Sequence, residues 1–176
     1  VDFVGSIDNV SAVEVDQANS KIGKSYLFDG TNDYIDIYSA ELNSIFDPTK
    51  GTMLAFAKVS NSGVWTDGIL RFITLFSADV ANDLVLIRKS TVNNELNVFY
   101  GAGGTVSIVN ITTSTVDWFM VAVTWDTVAD EMKVYYNGVQ SGSTQTGLGT
   151  WEGNLLSINC IIGALNTTPE FVWDGY

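Results

Sequence analysis

The sequence predicts an all-β chain whose short strands pack as a sandwich or a barrel, and three observations predict it. Brief runs of alternating or wholly apolar residues recur along the 176 positions. Gly, Asn, Asp and Ser separate them, and no segment sustains a helical period. About ten such runs at this turn spacing suit two packed sheets or a closed one.

Strands are expected over 25–29, 34–38, 52–59, 69–76, 84–89, 95–100, 106–111, 118–125, 132–136 and 155–162. The first ends in Asp29-Gly30, where Gly tolerates a positive φ and Asp bonds its own backbone. The extended run resumes through Tyr34, Ile35 and Ile37, with Asp36 as its charged member. Residues 40–46 allow one helical turn, which Pro48 ends. Leu96, Val98 and Tyr100 share one face, as do Met132, Val134 and Tyr136, so these strands are half-buried and antiparallel. Phe119-Met120-Val121-Ala122-Val123 is apolar on both faces, which suits a strand covered on either side. Asn137-Gly138 marks a tight hairpin. The Gly/Ser/Thr-rich stretch 141–150 is read as a surface loop, and Cys160, inside an apolar run, as a small buried hydrophobe. No repeat or linker interrupts the pattern, so residues 1–176 are expected to form a single domain, a segment of a larger protein.

Composition narrows the function. A 46% hydrophobic content with 16% charged residues is that of a folded chain. No apolar stretch approaches the roughly 18 residues of a membrane span, so membrane insertion is not expected. Nothing resembles a signal peptide, and Val1 in place of Met suits a mature product or an excised segment. A net charge of −12 with scattered cations argues against nucleic-acid binding, which needs clustered Lys and Arg. The absence of histidine removes imidazole-based acid–base and nucleophilic catalysis. A single cysteine forms neither an intrachain disulfide nor a cysteine-cluster zinc site.

Three blocks carry a resemblance. Lys21-Ile22-Gly23-Lys24-Ser25-Tyr26-Leu27-Phe28-Asp29-Gly30-Thr31-Asn32-Asp33-Tyr34-Ile35-Asp36-Ile37 is similar to the N-terminal signature of laminin G-like jelly rolls in the concanavalin A-like lectin/glucanase superfamily. Trp118 to Asp126, running on to Val134-Tyr135-Tyr136-Asn137-Gly138-Val139, resembles that family's central hairpin. Ile161-Ile162-Gly163-Ala164 with Trp173-Asp174-Gly175-Tyr176 resembles its last shared stretch. The resemblance implies a two-sheet antiparallel β-sandwich. It also implies a further Val/Ile-rich strand beyond the final Gly. The sandwich is therefore expected to lack its last strand, through excision or because another part of an assembly supplies it. Such a gap leaves a sheet edge open to pairing. The texture of 127–150 resembles jelly-roll modules of bacteriophage structural proteins.

Candidate sites follow from residue chemistry. Trp65 in a polar loop, with Asp67 beside it, and Trp151 and Trp173 at strand ends are candidate carbohydrate-binding residues. Rings stack on pyranose CH groups while nearby polar groups take hydroxyls. For Trp151 and Trp173 a ring folded over the core is the stronger reading, and Trp118 and Trp125 are expected in or near the core. Asp29, Asn32 and Asp33 gather oxygens within one turn and are candidate calcium ligands, against an ordinary turn role that is favoured. Asp79, Asn82 and Asp83 form a second such cluster. Cofactors are thus expected to be none, or one structural Ca²⁺. The only Glu-x-Asp is Glu14-Val15-Asp16, without a third acid, and Asp130-Glu131 would point to opposite faces, so no catalytic pair is expected. Three Asn-x-Ser/Thr sequences, at Asn9, Asn110 and Asn166, are no more than chance provides. The expected function is a non-catalytic adhesion or assembly module able to bind glycans, within an extracellular or virion protein. The alternatives are a purely structural virion or surface-layer domain that binds neighbouring chains, and a degenerate glycoside hydrolase.

Overall fold

A computed structural model describes residues 17–20, 23–79 and 82–176. In chain order the strands are β1 (Gln17–Ser20), β2 (Gly23–Tyr26), β3 (Phe28–Asp29), β4 (Ile35–Asp36), β5 (Lys50–Ala57), β6 (Arg71–Asp79) and β7 (Asp83–Lys89). They continue as β8 (Glu95–Ala102), β9 (Thr105–Thr112), β10 (Phe119–Asp126), β11 (Glu131–Tyr136), β12 (Val139–Gln145), β13 (Cys160–Ile162) and β14 (Asp174–Gly175). Among the described residues the one α-helix, α1 (Ala40–Ile45), is the expected turn: the Ser39 Oγ caps it by accepting from the Leu42 N–H at 3.0 Å, and it ends before Pro48.

Two antiparallel sheets make the sandwich. One has six strands in the order β4-β13-β6-β7-β8-β9, the other four in the order β12-β11-β10-β5. Two-stranded ribbons, β1-β2 and β14-β3, complete the fold. Alternation sets the core. Val85 and Ile87 of β7 and Leu96, Val98 and Tyr100 of β8 meet Val121, Val123, Met132 and Val134 of β10 and β11 in one buried cluster. Burial of each such side chain contributes roughly 1.5–3 kcal/mol. The polar tips that enter the core are satisfied there: the Tyr100 hydroxyl and the Trp125 Nε1–H both donate to the Pro48 carbonyl, at 2.9 and 3.0 Å. Asn137-Gly138 forms the expected hairpin, with φ of 49° and 83°. Cys160 is fully buried, and desolvation pushes its thiol up to about 12.

Two expectations change. The segment read as a loop over 141–150 begins as part of β12, which is paired to β11. Its side chains are exposed or half-exposed, so no apolar period marks it; backbone pairing holds it, with a register shift accommodated beside Gly142 at φ +71°. The strand read over 155–162 is confined to β13, because the chain before it turns back, Asn159 N–H donating to the Leu156 carbonyl.

β5 lies at the edge of the four-stranded sheet. Beyond its end the backbone pairs with the C-terminal residues: Lys58 and Tyr176 exchange both N–H···O bonds, at 2.8 and 2.7 Å.

Candidate functional site

Trp65 sits on a 3-10 turn over Ser62–Thr66 that Asn61 caps. The turn rolls the ring inward: Trp65 is 0% exposed, packs on Phe119, and donates from Nε1 to the Thr115 carbonyl at 2.7 Å. The polar loop thus carries a core ring, with no face left for a sugar. Trp173, 1% exposed, packs on the same Phe119. Trp151 stays half-buried against Phe46 and Tyr100 and borders a small cavity of about 150 Å³ with Pro48 and Leu148. The structure therefore places Trp65 and Trp173 on one core ring and Trp151 elsewhere. Trp125 is in the core, whereas Trp118 is half-buried beside Tyr176.

Asp67 is committed to the scaffold. Its Oδ1 accepts from the fully buried Lys89 Nζ at 2.7 Å and from the Ile69 N–H, and its Oδ2 accepts twice from the Arg71 guanidinium. Burial acts to raise the Asp67 pKa, but the bonds from Lys89, the Ile69 N–H and Arg71 outweigh it and hold the carboxyl below its ordinary value. Arg71 also donates to the Val172 carbonyl, so the cluster ties the 3-10 turn, β6, β7 and the C-terminal segment together. The acceptor capacity of Asp67 is spent.

The expected calcium oxygens are likewise engaged. Asp29 Oδ1 accepts from the Thr31 and Asn32 N–H groups, and Asp33 Oδ2 accepts from the Asp29 N–H. Among the described residues no three acidic or cysteine side chains gather as a cation cage. In the second cluster Asp83 Oδ1 accepts from the Gly103 and Glu152 N–H groups, lashing two loops to β7; the side chain of Asp79 is outside the described residues. Asp130 accepts from the Gly147 and Leu148 N–H groups and Glu131 pairs with Lys133, so these adjacent acids are structural. Glu14 and Asp16 lie outside the described residues.

The outer face of the six-stranded sheet gathers a different set of groups. Register places Phe72, Arg88, Asn97 and Asn110 in one row across β6, β7, β8 and β9. The neighbouring row is apolar: Leu86, Phe99 and Ile108. On the β6–β7 side this face is covered, since Leu165 packs over Phe72, Leu75, Leu84 and Leu86. Toward β9 it is open: Ile108 is 44% and Val106 42% exposed. Arg88 lies between the halves, its guanidinium 4.4 Å from the Phe99 ring centroid and 5.8 Å from that of Phe72. Its Nε donates to Asn97 Oδ1, and Asn97 Nδ2 donates to Glu95 and Asn110. Burial lowers the Arg88 pKa, although a guanidinium stays charged in any folded protein. Among the described residues no carboxylate pairs with it and its terminal nitrogens have no protein acceptor. A planar fork held by two rings, beside amides and an open apolar row, can bind a ligand that carries both an acidic group and CH surface.

Sequence reasoning missed this set. The signal available was the alternation of Glu95, Asn97 and Phe99 opposite the core-facing Leu96 and Val98, but only the pairing register brings Arg88 and Asn110 alongside.

No family model matches the chain, and no curated protein matches it. Solved structures do. A CBM40 carbohydrate-binding module of the Ruminococcus gnavus IT-sialidase is 11% identical, with 82% of this chain and 81% of that one covered and a TM-score of 0.59. The same module is known with α2,3-sialyllactose bound. A putative carbohydrate-binding protein from Bacteroides ovatus is 18% identical, with 85% and 40% covered and a TM-score of 0.59. Domains LG4-5 of the mouse laminin alpha1 chain are 13% identical, with a TM-score of 0.50; 68% of this chain is covered but only 29% of the laminin chain. At these identities the likeness is one of fold. The chain shares the jelly-roll sandwich of laminin G-like domains and carbohydrate-binding modules.

Proposed function

We propose that the chain is a non-catalytic module of a larger extracellular or virion protein, and that it binds acidic glycans on the outer face of its six-stranded sheet. The observation that carries this reading is Arg88, a guanidinium stacked between Phe99 and Phe72 with its terminal donors left for a ligand. A carboxylate on a sugar matches that fork in two parallel bonds. Asn110 and Glu95 offer partners for hydroxyls, and Ile108 with Val106 offers an apolar bed for ring CH groups. The fold is one that carbohydrate-binding modules use, and the CBM40 module of similar fold binds sialyllactose. The net charge of −12 opposes an anionic ligand only weakly at the site, because exposed charges are screened beyond about 8 Å at physiological salt. Adhesion through such glycans is the role this chemistry suits.

Titration calorimetry with α2,3-sialyllactose and with lactose tests the proposal. Sialyllactose should bind and lactose should bind more weakly. Arg88→Ala should cost about 1.5–3 kcal/mol, or roughly ten- to hundred-fold in affinity. Arg88→Lys, which keeps the charge but loses the fork, should restore only part of it. Equal binding of both sugars, or binding that survives Arg88→Ala, would overturn the reading.

A further inference from the structure

Among the described residues, Phe171 alone combines a bulky side chain with a left-handed backbone. Its φ is +53°, and the other non-glycine residues at positive φ are Asn94, Asp130 and Asn137, whose short polar side chains tolerate that region. A ring at such a position is strained, and strain of this kind persists where the surroundings fix the backbone. Here they do. The Glu170 carbonyl accepts from the Leu165 N–H at 3.0 Å, that of Phe171 from the Phe72 N–H at 2.8 Å, and that of Val172 from the Arg71 guanidinium at 2.9 Å. On this segment's side all three bonds use backbone atoms alone, so glycine or asparagine at 171 would preserve them with less strain. The fold requires the conformation and not the ring.

The ring itself borders the Arg88 site. It lies 6.4 Å from the Phe72 ring, tilted by 39°, and the Arg88 guanidinium lies 5.8 Å from Phe72 on its other side-chain contact. Phe171 therefore stands one ring away from the charged fork, on the β6 flank of the row that ends at Asn110 on β9. Cover for Phe72 does not account for it. Leu70 and Leu165 already pack on that cluster, and Phe171 remains 43% exposed. Bonds on successive carbonyls fix the direction in which the ring leaves the chain, and a platform fixed in advance binds at little ordering cost.

We propose that Phe171 is a specificity-determining ring of the Arg88 site, and that the ligand is an acidic oligosaccharide rather than a single acidic sugar. The inference rests on the glycan reading above and extends it. With its carboxylate in the Arg88 fork, the acidic sugar lies toward Ile108 and Asn110, and the neutral sugar joined to it lays its CH face on Phe171. The ring carries no charge, so it discriminates by the presence of that second sugar and not by the acid. The strain at position 171 is retained because the residue that relieves it cannot supply the platform.

Titration calorimetry with α2,3-sialyllactose and with the methyl glycoside of sialic acid alone tests this. The parent chain should prefer the trisaccharide. Phe171→Asn, which suits the left-handed backbone, should lower that preference about three- to ten-fold, the worth of one ring contact. Phe171→Tyr, which keeps the ring, should retain it. A fold defect, or a disturbed Arg88, would weaken both ligands together and leave their ratio alone. An unchanged ratio in Phe171→Asn, whether or not both affinities fall, would overturn the proposal. Where Arg88→Ala still abolishes binding of both sugars, that result overturns the role of Phe171 alone. Binding of both that survives Arg88→Ala overturns the site on which it rests.

Discussion

Lys89 is fully buried, and its ammonium pairs with the Asp67 carboxylate. Replacing Asp67 with Asn strands that cation next to Arg71, and removing one partner of a buried pair costs about 3–5 kcal/mol. The expected outcome is a large loss of stability in denaturant melts, with the affinity of the folded fraction for glycan unchanged. The acid limb should change as well. Folding lowers the Asp67 pKa, so its contribution is present above the ordinary carboxylate value of 3.8 and is lost as pH falls through the folded value. Asp67→Asn should therefore flatten the loss of stability below about pH 4. Trp65 belongs to the same scale. Its truncation to Ala empties core volume and breaks the bond to Thr115, at a cost of about 3–5 kcal/mol. A sugar titration of that variant under folding conditions should match the parent.

At the scale of elements, the turns carry their own conformational requirement. Gly138 holds φ at +83° with no heavy atom near the position a Cβ would take, so Gly138→Ala introduces strain without a clash. The cost should be about 1–2 kcal/mol, and Gly138→Asn should cost less, both measured by thermal melt. This hairpin was readable in the sequence because Asn-Gly is a local signal. So were β8 and β11, whose apolar residues alternate against one core, and α1, which Ser39 and Pro48 bracket. β12 was not, since a strand that buries little has no apolar period and owes its place to β11. The candidate site was hidden for a related reason. Arg88, Asn97 and Asn110 lie on three successive strands and meet only through the register of the two hairpins, which no local motif fixes. The Trp65 ring misled for the opposite reason: a 3-10 turn of five residues reverses the inward and outward sense that a polar loop suggests.

For the whole molecule, residues of both sheets meet in one core cluster, and that continuity supports the proposal of a single domain. Unfolding followed by tryptophan emission and by circular dichroism should then give one coincident transition; two separated transitions would indicate independent units. The proposal of glycan recognition is tested most directly by mapping backbone amide shifts across the labelled chain during a titration with α2,3-sialyllactose. Perturbations should concentrate at Arg88, Asn97, Phe99, Ile108 and Asn110, with Trp65 and the β5 edge unmoved. Shifts confined to other surfaces, or a spectrum that the sugar leaves unchanged at millimolar concentration, would contradict it.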